Sequence, residues 1–259
     1  MNLRVSVATL GRVIFRHPKY EISMLALERK ATVMSDGENV RVRAQPFGGS
    51  IRILDPPPLQ ELIGEIKFDS ERSQYEQDFR ILIPPSQWEA VKQFCLQHLQ
   101  NPNGTVLESS PQRELTEEFA ETLNIDLKPD QYTHQTLGFV IGNDPVPTDN
   151  VYARGQPTVR LYRIFEVTIH DDGLRSTMLT ASEHYSDQDL EILALKDFQN
   201  GGRGRANTIL TLPLRLVTES YLVLSPELRT KTITVENHQL DESVLAILEN
   251  IDAPQYQVL

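Results

Sequence analysis

The sequence predicts an α/β (α+β) protein built on one mixed sheet. Three observations carry this. Short segments repeat apolar residues with a period of two, as in Leu3-Val5-Val7, Val40-Arg41-Val42-Arg43-Ala44 and Thr158–Ile169. Other segments repeat them at helical spacing behind helix-start residues, as at 110–123 and 186–199. The order is strands, a glycine turn, an intervening segment, an acidic helix, more strands, then helices.

Along the chain, residues 3–10 and 20–27 read as the first two strands, the second following Pro18. Ser35-Asp36-Gly37 turns the chain into the third strand, 40–44, which carries Arg41 and Arg43 on one face and runs into Gln45-Pro46-Phe47-Gly48-Gly49. Paired glycines after a strand mean positive φ or a close approach of backbone to another group.

Residues 54–107 form a segment with its own elements. Pro56-Pro57-Pro58 is a stiff entry, 78–83 reads as a strand, and Ser86 with Glu89 predicts a capping box for a helix from Gln87 to Leu99. Its stripe is Val91, Cys95 and Leu99, with Trp88 and Phe94 beside it as core rather than as a base-stacking platform. After the acidic helix, 136–141 reads as a strand, 142–157 as a long loop and 158–169 as a strand. Asp171-Asp172-Gly173 is read as a turn leading back into 176–181. Ser186 caps a helix over 187–199, and Gly201-Gly202-Arg203-Gly204-Arg205 reads as a basic loop able to touch phosphates or simply to link elements. Residues 212–224 read as a helix, 232–235 as a short strand and 241–251 as a last helix.

The chain is organised around Arg113-Glu114-Leu115-Thr116-Glu117-Glu118-Phe119. At about 100° per residue, Glu114, Glu117, Glu118 and Glu121 share one quadrant of a helix, while Leu115, Phe119, Thr122 and Leu123 gather on another side. Ser110 suits the N-cap and Pro111 the first helical position. Like charges one turn apart repel. A solvated acidic face is the ordinary outcome of such a helix; a hard divalent cation is the alternative that relieves the repulsion.

Arg-Glu-apolar-any-Glu-Glu resembles the heart of the Nudix box, the signature of the Nudix hydrolase family. Arg113, Glu114, Leu115, Glu117 and Glu118 match it. Ala120 and Glu121 stand where the family has Gly and an apolar residue, and Thr105 and Leu99 where it has the earlier Glu and Gly. A Pro-Gly-Gly stretch commonly precedes the box in that family, and Pro46-Phe47-Gly48-Gly49 is similar to it, with residues 54–107 as an insertion.

The resemblance implies a Nudix-like α/β/α sandwich with a mixed sheet over residues 1–225, interrupted at about 54–107, with 226–259 as a C-terminal strand and helix packed on it. It further implies Mg²⁺ (or Mn²⁺) held by Glu114, Glu117 and Glu118, oriented by Arg113, with a Gly48 or Gly49 carbonyl completing the set. Glu183 would be the distal carboxylate, with Glu166 its rival. Arg43, Arg52 and Gly48 would face the substrate. The implied activity is hydrolysis of the diphosphate in a nucleoside diphosphate linked to another moiety. A non-hydrolytic nucleotide- or ADP-ribose-binding or protein-interaction module is the rival, because the box is incomplete.

Composition narrows the partners. The net charge of −11 argues against a general nucleic-acid or anionic-membrane binder, while leaving room for a local basic pocket. Cys95 is the single cysteine, so neither an intrachain disulfide nor a thiolate zinc site is expected. Glu183-His184 lacks a partner histidine at zinc spacing. No apolar run is long enough to span a bilayer, which leaves a cytoplasmic protein as the expectation, and the resemblance implies a small nucleotide-like ligand. The 54–107 insertion is expected to cover one side of the site or to make a homodimer contact.

Overall fold

A computed structural model describes residues 2–101, 104–148, 150, 153–225, 228 and 232–248. The chain is a mixed α/β protein whose nine strands form one curled mixed sheet, a half-barrel, with eight helices among the described residues. No helix among those residues is long and apolar enough to cross a membrane.

Strand β1 (Leu3–Arg16) is the axis of the sheet. It is parallel to β6 (Pro157–Ile169), which is antiparallel to β5 (Tyr132–Pro147). The other edge of β1 is shared. Residues 13–16 pair with β2 (Ser23–Val33), and residues 3–6 pair with β4 (Arg80–Ile83) from the insertion. Between them Phe47 and Ser50 bridge to Gly11 and Ala8, so the glycine stretch is laid against the middle of β1. Beyond β2, one edge carries β3 (Val40–Gln45) and the other β7 (Arg205–Pro213). β8 (Ile233–Val235) and β9 (His238–Leu240) extend the β3 side.

Apolar faces of the helices cover this sheet. In the insertion, α1 (Pro57–Ile63), α2 (Glu71–Glu76) and α3 (Trp88–Gln100) lie over the start of β1, with Leu59, Val91, Cys95 and Leu99 packed on Val5, Val7 and Leu161. The acidic helix α4 (Gln112–Leu123) inserts Leu115 and Phe119 between Val13, Phe47 and Phe165; the Phe47 and Phe119 rings stack at 4.9 Å. Behind it sit α5 (Asp172–His184) and α6 (Asp187–Gln199). α7 (Leu214–Leu222) and α8 (Ser243–Leu248) close the β2–β9 side through Val217, Tyr221 and Val244.

Several expectations are corrected by these elements. Residues 176–181 are helical, not strand: Asp171 caps α5 by accepting from the Leu174 N–H at 2.7 Å, and Leu174 and Met178, one turn apart, are its buried residues. The helix expected over 212–224 begins only after Pro213, and the apolar run before it is β7. Both faces of that strand are buried, Ile209 with Leu115, Phe119, Leu174 and Met178 and Leu210 and Leu212 with Val217 and Tyr221, which removes the alternation that marks a one-sided strand. The second strand starts at Ser23 rather than 20, after a turn with Glu21 at φ 56°, and runs on to Val33. Much of the expected 142–157 loop is strand, since β5 reaches Pro147 through a register shift. Ser86 and Glu89 form no capping box; a 3-10 turn at Pro85–Gln87 leads into α3. The N-cap of α4 is Pro111, and Ser110 Oγ accepts instead from the Gln112 N–H at 3.2 Å. The last helix is described only to Leu248; the expected 249–251, like the 102–103 part of the turn after α3, lies outside the described residues.

Candidate functional site

Arg113 ties the site together. Its guanidinium donates to both carboxylate oxygens of Glu108 at 2.8 and 2.6 Å, to the Ser50 carbonyl at 3.0 Å and to Glu117 Oε2 at 3.0 Å. It also lies 2.6 Å from Glu114 Oε1. The planar fork of arginine matches a carboxylate in this two-bond manner, which holds direction as well as charge. Burial opposes the cation, yet Glu108, Glu114 and Glu117 outweigh it and the Arg113 pKa is raised. The tie to Ser50 locks α4 to the strand segment that carries the glycines.

Both glycines are required by space. Gly48 has φ 138°, and a Cβ there would lie 2.0 Å from the Thr9 carbonyl oxygen. Gly49 meets a different neighbour, because a Cβ on it would lie 2.1 Å from Glu114 Oε2. The Gly49 carbonyl accepts from the Thr9 N–H at 2.9 Å.

The carboxylates of α4 differ from one another. Glu114 is buried and its pKa rises to about 7; burial is the largest cause, partly offset by Arg113. Glu118 rises to about 9, first through burial and then through the negative charge of Glu28, with Lys30 opposing. Glu28 is fully buried in the middle of β2; its Oε2 accepts from Lys30 Nζ at 2.9 Å and Gln45 Nε2 at 2.8 Å. Glu118 Oε2 has no hydrogen-bond partner, while Glu28 Oε1, also without one, lies 2.9 Å from the Lys30 ammonium. Glu117 is exposed and lies 4.0 Å from Arg52.

Of these carboxylates Glu114, Glu117 and Glu118 line a cavity of about 750 Å³, while Glu28 and Glu108 stand behind its wall. Gly48, Gly49, Arg52, Arg113, Glu114, Glu117 and Glu118 are brought together there. Glu183 is not: it lies on the exposed side of α5 and does not line the cavity. Nor does Glu166, which pairs with Arg12 at 2.6 Å. Arg43 faces an adjoining cavity of about 710 Å³, 3.3 Å from Asp241. The insertion supplies Arg72, Glu76, Asp78 and Arg80 to one wall of the larger cavity.

Sequence reasoning missed Glu108 and Glu28. Glu108 stands five residues before Arg113, whereas the family spacing directs attention to Thr105. For Glu28 a signal existed: a carboxylate in the apolar run Met24-Leu25-Ala26-Leu27 needs a reason to be buried. The cavity also gathers ten arginines and Lys30, eleven of the chain's 25 basic residues, against six carboxylates. An acidic protein has therefore concentrated its positive charge in one concavity.

Among the described residues, no three His, Cys, Asp or Glu side chains converge as a ready metal site. The donor chemistry still suits a hard divalent ion. The carboxylates of the cavity are oxygen donors without histidine or cysteine, and Glu118 Oε2 is a buried carboxyl oxygen without a hydrogen-bond partner, a position for a proton or a cation. Compared with known protein families, curated proteins and solved structures, the chain matches none.

Proposed function

We propose that this chain is a divalent-metal-dependent hydrolase of the Nudix kind, with the α/β/α sandwich of that family, acting on the diphosphate of a nucleotide-like small molecule. One observation carries the reading: the carboxylates organised by Arg113 stand beside Gly48-Gly49 at one end of an arginine-lined cavity. A diphosphate resists attack by water because it is negative, so such a site needs cations around the phosphates and a base for the water.

Glu114, Glu117 and Glu118 would hold Mg²⁺ or Mn²⁺, with Glu28 beside Glu118 in place of Glu183. Bound there, the ion would supply charge neutralisation and an activated water. The chain itself does the rest. Arg113 aims Glu114 and Glu117 and keeps α4 against the glycine stretch. Gly49 leaves the room that the Glu114 carboxylate needs. Glu114, with a pKa of about 7, is suited to accept a proton near neutrality. Arg52 and Arg160 offer positive charge to phosphoryl oxygens as charge develops.

The binding-module reading keeps two points in its favour: the Glu118 pKa of about 9 favours the protonated acid at neutral pH, and among the described residues no three such side chains converge. A panel of nucleoside diphosphate compounds followed by ³¹P NMR with Mg²⁺ separates the two. A hydrolase cleaves at least one at the diphosphate, and Glu117→Gln and Glu118→Gln each slow it by ~100-fold or more. No cleavage, together with a ligand that raises the melting temperature as its concentration rises, supports the module.

A further inference from the structure

The cavity has two ends of different character, and strand register sets their separation. On β2, Glu28, Lys30 and Thr32 share one face. Glu28 pairs with Gln45 of β3 and sits beside Glu118, at the carboxylate end. Four residues further, Thr32 pairs with Arg41 of β3 on one side and Arg205 of β7 on the other. In-register partners point to the same face, and Arg41, Thr32 and Arg205 all line this cavity. Four residues of strand span about 13 Å, and two strand spacings put Arg41 and Arg205 about 10 Å apart at the backbone.

Charge pairing differs between the ends in the same sense. On the insertion side, Arg4, Arg72 and Arg80 have carboxylate partners in Asp69, Glu76 and Asp78, at 2.7, 2.9 and 3.1 Å. Toward the other rim, no carboxylate among the described residues forms an ion pair with the guanidinium of Arg154, Arg160, Arg203 or Arg205; Asp197 accepts from the Gly204 and Arg205 N–H at 2.8 and 3.3 Å, and Arg154 donates to Ser35 Oγ at 3.1 Å. Positive charge left uncompensated in a concavity is a seat for an anion. Aromatic surface is scarce, since Tyr162 is the one aromatic side chain among the described residues lining the cavity. A stacked nucleobase finds little there.

We propose that this site takes a compound with two separated phosphate groups: a diphosphate at the Gly48–Gly49 and α4 end, and a phosphate monoester on Arg203 and Arg205 at the far rim, recognised by charge and not by base stacking. Arginine side chains reach back toward the centre, so the two seats lie roughly 7–13 Å apart. The inference rests on the diphosphate reading of the carboxylate end.

Matched ligands that differ by one phosphate monoester test it: coenzyme A against dephospho-coenzyme A, and 2′-phospho-ADP-ribose against ADP-ribose. Binding is measured by calorimetry on the full chain with Ca²⁺ in place of Mg²⁺, with inorganic tripolyphosphate as a third probe. The expected result is that at least one phosphorylated member binds about tenfold or more tightly than its partner. Arg203→Gln with Arg205→Gln, at exposed positions, narrows that ratio below about twofold while the circular dichroism spectrum is retained. Equal binding of both members of each pair overturns the proposal. So does a ratio that survives in the double variant, or tripolyphosphate binding as tightly as the best ligand, which would mean one contiguous phosphate seat. Preference without any diphosphate cleavage in Mg²⁺ removes the hydrolase reading and leaves the second seat standing. Cleavage without preference does the reverse.

Discussion

The carboxylate of Glu114 occupies the space that a side chain at position 49 would need, with its Oε2 2.1 Å from where a Cβ would stand. Gly49→Ala therefore has to push Glu114 aside or shift α4 against Ser50. The expected cost is about 1–3 kcal/mol of stability, read by urea denaturation, with loss of hydrolysis. In a Glu114→Ala background the same substitution should cost clearly less, because the clash partner is gone. An unchanged cost in that background would mean that Gly49 is required for a reason other than Glu114.

Glu118, buried beside Glu28, makes the fold sensitive to pH. Glu118 ionises near 4.5 as an ordinary carboxyl and near 9 in the fold. Between those values the folded chain holds a proton that the unfolded chain has released, so stability falls as pH rises through that window. Glu118→Gln mimics the protonated acid. It should raise the melting temperature at pH 8.5 relative to wild type, and much less at pH 5. The opposite order, or parallel curves, would remove the protonated Glu118 from the description of the site.

Glu108 is expected to act through Arg113. Glu108→Gln breaks the two-bond fork at 2.8 and 2.6 Å and frees Arg113 to swing. Activity should fall ~10-fold or more with KM nearly unchanged, since the substituted group positions the carboxylates and does not touch the ligand. Stability should fall by about 1–3 kcal/mol, because Arg113 is left partly unpaired. Steady-state kinetics beside a denaturation curve checks both.

Arg163 holds the approach to α4. This buried side chain donates to the Ser109 carbonyl at 2.5 Å and to Thr136 Oγ1 at 3.2 Å, and lies 4.7 Å over the Phe165 ring. Its pKa is pushed down to about 10 by burial. Arg163→Lys keeps a charge but loses the planar fork, and should cost about 1–3 kcal/mol. Faster amide exchange at the start of α4 is the accompanying sign; protection equal to wild type would count against a positioning role.

What the sequence determined by itself is local. The spacing of Leu115 and Phe119 against Glu114, Glu117 and Glu118 marks an amphipathic helix, and helical period is a property of neighbouring residues. Gly48-Gly49 likewise announces a tight approach, though not to what. Alternation shows strands at 3–10, 40–44 and 158–169 because each has a distinguishable face, but it does not carry β1 on from 11 to Arg16. β7 and α5 were misread where that local signal fails: β7 is covered on both sides, and α5 shows its period only once Asp171 is recognised as a cap. The partners of the acidic helix were out of reach for a different reason. Glu28 lies 90 positions from Glu118, and Arg41, Arg160 and Arg205 come from three separate strands. Only the curl of the sheet sets them around one cavity. A buried carboxylate or an arginine crown is an energetic consequence of who stands nearby, and that is decided by strand order and register, which no local period encodes.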